Sequence, residues 1–61
     1  MTKNERMAVI MAGRAGGVKR AELEAKTGLD RWQAFAILHK LVVAKVLRLV
    51  GKRRASKYVK A

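Results

Sequence analysis

The chain has no cysteine, no proline and a single histidine among its 61 residues. Disulfides and an ordinary zinc ligand set are therefore excluded as staples for so small a fold. At this length one core withdraws only about 60% of the surface that the unfolded chain exposes. Stability has to come from helix packing, a partner or a ligand. There is no internal repeat and no low-complexity or proline-rich stretch, so residues 1–61 are read as one domain. Long apolar runs are missing too. Nothing approaches the roughly 18 apolar residues of a membrane helix. The short run 7–12, behind Lys3 and Arg6, superficially resembles a leader but is cut off by Arg14. Neither export nor a membrane partner is expected, and lack of cysteine suits a reducing cytoplasm, with the nucleoid as the expected site in a cell that has one.

Acid is also scarce. Fifteen Lys and Arg face four Asp and Glu, a formal net charge of +11. Residues 1–17 sum to +2, residues 18–30 to zero, and residues 31–61 carry nine basic side chains with no acid. Such a half repels itself unless something neutralises it, which points to a polyanion or an acidic surface.

What is present is punctuated by glycine. Thr2 and Glu5 have capping-box spacing, so a helix is expected over about 3–13, with Met7, Ile10 and Met11 as its inner stripe. Gly13, Gly16 and Gly17 stop it. An extended lead-in at 18–19 precedes a second helix over about 20–27, closed by Gly28. Asp30 is placed to cap a third helix over about 31–45, with Ala34, Leu38, Leu41 and Lys45 along one side. A hairpin over about 46–60 follows, its tip formed by Gly51, Lys52, Arg53 and Arg54. The expected class is mainly α with a small antiparallel β hairpin.

This order resembles the winged helix-turn-helix family. The resemblance is carried by the Val18-Lys19 lead-in, the pattern AELEAKTGL from Ala21 to Leu29, Leu38 and Leu41 in the third helix, and a hairpin ending in GKRRASKY. It implies a three-helix winged helix-turn-helix domain whose third helix enters the DNA major groove while the wing lies on phosphates. The family commonly has glycine where the third helix meets the hairpin, and this chain has Lys45. The physical case is independent of the family: a major groove about 12 Å wide admits one helix, and neutralising phosphates releases counterions. On this reading Arg31, Trp32, Gln33, Ala36, His39 and Lys40 face the groove, and Lys19, Arg20, Lys52, Arg53, Arg54 and Lys57 meet the backbone.

An outward-reading helix is usually polar, yet Trp32, Phe35, Ala36, His39 and Val43 form a second apolar stripe on the third helix. Three readings of it stand open. Trp32 and Phe35 complete a core against the first helix; or Trp32, Phe35 and Val43 form a homodimer or partner interface; or some of the stripe meets thymine methyls and sugars. The three methionines are read as core filler, and Tyr58 as a strand residue whose ring covers the sheet.

Nothing points to an enzyme, a cofactor, a metal or a small-molecule ligand. His39 has no second histidine, cysteine or nearby carboxylate, and Glu22 and Glu24, two apart on a helix, make a poor acid/base pair. The expected function is binding of duplex DNA as a small transcriptional regulator or architectural factor. The alternatives are a protein-interaction module using the apolar face of the third helix, or an RNA-binding protein. A basic amphipathic membrane binder is disfavoured because glycines break the chain into short helices.

Overall fold

The first and third helices begin where a hydroxyl or carboxylate takes up a free backbone donor of the first turn, and in all three a side chain three residues on reaches back to the N-cap N–H. In the computed structural model, which describes residues 1–61, Thr2 Oγ1 accepts from Glu5 N–H at 3.1 Å and Glu5 Oε1 accepts from Thr2 N–H at 2.7 Å. That capping box starts α1 (Lys3–Ala12). Glu22 Oε1 accepts from Lys19 N–H at 2.8 Å at the start of α2 (Arg20–Thr27), which closes with Gly28 N–H on Glu24 O. Asp30 and Gln33 form a second reciprocal box, with Asp30 Oδ1 accepting from Gln33 N–H at 2.8 Å, and start α3 (Arg31–Val43).

The third helix stops two residues short of the expected 45, and the reason is geometric. Lys45 N–H donates to Val42 O at 3.0 Å and Val46 N–H to Leu41 O at 2.9 Å, the paired bonds of a Schellman turn. Such a turn needs one residue in the left-handed region, and Lys45 takes it at φ +63°. A β-carbon there costs roughly 1–2 kcal/mol, which the packing of the following strand has to offset.

That strand is β1 (Leu47–Val50), paired antiparallel with β2 (Lys57–Lys60) in the register Leu47↔Lys60, Arg48↔Val59, Leu49↔Tyr58 and Val50↔Lys57. A short 3-10 turn, Arg53–Ala55, forms the tip. On the other side of β2, Val18 and Tyr58 exchange backbone hydrogen bonds of 2.9 and 2.8 Å. The extended lead-in thus adds a one-residue third rung to the hairpin. Gly17, just before it at φ +71°, comes so close that a Cβ would lie 2.5 Å from Tyr58 O, so only glycine fits there.

The architecture is three helices followed by an antiparallel hairpin, mainly helical, in the layout expected from the sequence. Its core draws on every element: Ala8 and Ala12 of α1, Val18, Leu23 of α2, Ala34, Leu38 and Leu41 of α3, then Leu47 and Tyr58 from the hairpin. The inner face of α1 differs from the expected one. Glu5, Ala8 and Ala12 are buried, Met7 and Met11 only half-buried, and Ile10 is 56% exposed. Small side chains on the contact line let α1 approach α2 and α3 closely, which displaces the larger residues to its flanks. Met1, read as core filler, is exposed. No helix is long and apolar enough to cross a membrane.

Candidate nucleic-acid interface

The N-terminal end of α2, the outer face of α3 and the tip of the hairpin meet on one side of the molecule. Lys19, Arg20, Phe35, Leu49, Arg53 and Arg54 line a groove of about 320 Å³. Beside it, Arg20, Arg31, Trp32 and Phe35 line a shallower hollow of about 250 Å³. Residues more than thirty positions apart in the chain thus share one surface because Val18 is pinned to β2, which brings Lys19 and Arg20 alongside the wing.

The surface is strongly positive and little compensated. Of the fifteen Lys and Arg side chains, only Arg20, with its Nε 2.9 Å from Glu24 Oε2, and Lys40, with its Nζ 2.9 Å from Glu5 Oε2, sit in ion pairs. The others have no carboxylate partner, including Lys19, Arg31, Arg53 and Arg54 around the groove. The wing tip is a shaped turn. Ala55 N–H donates to Lys52 O at 3.0 Å and Ser56 N–H to Arg53 O at 3.1 Å. Gly51, at φ +84°, leaves no room for a Cβ, which would lie 2.5 Å from Ala55 O.

Individual residues of the expected site are placed differently from one another. Arg31, Trp32, Ala36 and His39 are exposed on α3. The Arg31 guanidinium sits 4.9 Å above the Trp32 ring centroid, a cation–π arrangement, and the His39 ring stacks on Phe35 at 5.7 Å. Gln33 is exposed, but its Oε1 is used to accept from Asp30 N–H at 3.2 Å. Lys40 is turned toward α1 and Glu5. Lys52 is exposed, and Lys57 is half-buried in β2. Neither lines the groove.

Glu5 is nearly buried, and its carboxyl is lowered to a pKa of about 2. The largest cause is the hydrogen bond from Thr2 N–H, followed by that from Lys40. The carboxylate therefore stays ionised and ties α3 to the first turn of α1.

The apolar stripe is not core. Trp32 is 70% exposed, Phe35 46% and Val43 68%, which overturns the reading in which Trp32 and Phe35 close a core against α1. Ala8 and Ala12 fill that place, and Ala34, Leu38 and Leu41 present the side of α3 that meets the core. Leu49 is the residue the sequence pattern passed over. It shares a strand face with Leu47, yet Leu47 is buried and Leu49, opposite the core residue Tyr58, is 49% exposed and lines the groove. The Leu47–Leu49 spacing was its only signal in the sequence.

Comparison with protein-family models, with curated proteins and with solved structures finds no match.

Proposed function

We propose that this protein is a winged helix-turn-helix module that binds duplex DNA, with α3 in the major groove and the wing on the phosphate backbone. The observation that carries the reading is the convergence of Lys19, Arg31, Arg53 and Arg54, none with a carboxylate partner, around the exposed face of α3. Three separate segments supply positive charge beside one exposed helix face, the arrangement a polyanion with a helix-wide groove would engage. The role is that of a cytoplasmic or nucleoid-bound transcriptional regulator or architectural factor, without catalysis.

The test is a titration of random duplex DNA, a structured RNA and a single strand, following Trp32 fluorescence at several salt concentrations. Tight binding that prefers the duplex, with a log–log salt slope of about −0.9 for each phosphate neutralised, is expected. Preference for the RNA would move the function to that polymer, and weak binding to all three would overturn the nucleic-acid reading.

A second reading is favoured by one observation, the exposure of Trp32, Phe35 and Val43. A large aromatic left in solvent is a common anchor of protein interfaces, so α3 would dock a protein partner or a second copy. Sedimentation showing a monomer at high concentration, with and without DNA, eliminates the homodimer.

A further inference from the structure

The side chains of α3 that are chemically suited to read base edges are largely spoken for. Gln33, a residue type suited to adenine, has its Oε1 in the cap of its own helix, and Lys40, suited to guanine, keeps an exposed side chain but has its Nζ paired with Glu5. Arg31, lying over Trp32, and His39, stacked on Phe35, remain. Among the exposed side chains of α3, Trp32, Phe35 and the neighbouring Ala36 form an apolar strip, and Leu49 continues it across the groove from Phe35. Cations frame it, Arg20 and Arg31 beside Trp32 and Arg53 and Arg54 beside Leu49.

An apolar strip framed by cations, of which only Arg20 has a carboxylate partner, is a poor match for a second copy of itself, since face-to-face docking brings the same charges together. It matches a polyanion that also presents apolar groups at regular intervals. The C5-methyl groups of thymine do this in the major groove, where alanine and phenylalanine are among their contacts. Resting on the duplex-DNA reading above, we infer that α3 discriminates base pairs through thymine methyl groups, with Phe35 and Ala36 as the contact residues. Its preferred ligand is then A·T-rich duplex DNA. Hydrogen bonds to base edges are secondary, and phosphate contacts supply most of the affinity.

The experiment uses four duplexes of one length: A·T-rich DNA, the same sequence with deoxyuridine for every thymidine, a G·C duplex, and that duplex with 5-methylcytosine. Uracil substitution removes only the methyl group, and 5-methylcytosine places one at the equivalent major-groove position. Each methyl contacted is expected to change affinity by about fourfold, the value of one buried methylene-sized group, downward for uracil and upward for 5-methylcytosine. The salt slope stays the same across the four because the phosphates are unchanged. Phe35→Ala is expected to close the gap between thymine and uracil duplexes while leaving the slope and the thermal midpoint unaltered. Equal affinity for thymine and uracil duplexes at a steep slope overturns the methyl reading and leaves duplex binding standing. Failure to bind any of the four overturns both, and binding of a Glu-rich amphipathic helical peptide in their place assigns the strip to a protein partner.

Discussion

Lys40 Nζ lies 2.9 Å from Glu5 Oε2, joining the middle of α3 to the first turn of α1. The same carboxylate caps α1 through Thr2 N–H, so a single side chain starts one helix and anchors another. Two consequences follow, one for stability and one for binding.

Because the Glu5 carboxyl is held at about 2 instead of its ordinary 4.5, the unfolded chain takes up a proton here more readily than the folded one. Its contribution is present above about pH 4.5 and is lost as pH falls toward 2. Thermal unfolding from pH 7 to pH 2.5 should show a midpoint that falls through this window, and Glu5→Gln should flatten that fall while lowering the midpoint at pH 7. Lys40→Ala should lower the midpoint at pH 7 with little change in the DNA salt slope. A one-phosphate loss of slope with an unchanged midpoint would instead place Lys40 on the backbone of the DNA.

Lys45→Gly should stabilise the protein. It relieves a left-handed lysine at φ +63°, against a partial loss from the greater freedom of glycine in the unfolded chain, for a net gain of about 0.5–1 kcal/mol. In urea the midpoint should rise with the m-value unchanged.

Gly17→Ala acts in the opposite direction and through the lead-in. The added Cβ would lie 2.5 Å from Tyr58 O and 2.8 Å from Val59 Cγ1, so the Val18–Tyr58 bridge must open or shift. A loss of about 2 kcal/mol or more is expected from backbone strain and the disturbed pairing together. Hydrogen exchange should speed up at Val18 and Tyr58 before it does in α3.

Arg53 and Arg54 are exposed at the wing tip and have no ion-pair partners. Reversing both to Glu should leave the unfolding free energy within about 0.5 kcal/mol of the parent. The duplex salt slope should become shallower by about one for each phosphate that the wing no longer neutralises. An unchanged slope would detach the wing from the DNA and favour binding through the apolar strip alone.

Much of the fold was legible in the sequence because its signals are local. Thr2 with Glu5 and Asp30 at the head of α3 announce helix starts through side chains that reach only three residues away. The glycine-led basic turn between two branched apolar segments announces the hairpin. Ala34, Leu38 and Leu41 were recognisable as an inner face because helical spacing alone aligns them. The concentration of positive charge after residue 30 needed only counting.

The tertiary structure decided which apolar residues are core and which basic residues are free. The inner face of α1 fell to Ala8 and Ala12 because close approach of two helices favours small side chains, a property of the pair and not of either periodicity. The last turn of α3 ended at Val43 because β1 must return to the core, which forces a left-handed residue on a position where the sequence offers lysine. Pairing of Val18 with Tyr58, forty residues on, determined that Lys19 and Arg20 stand beside the wing. Composition fixed the charge and local spacing the elements; which side chains remained exposed, uncompensated and adjacent depended on packing between residues far apart in the chain.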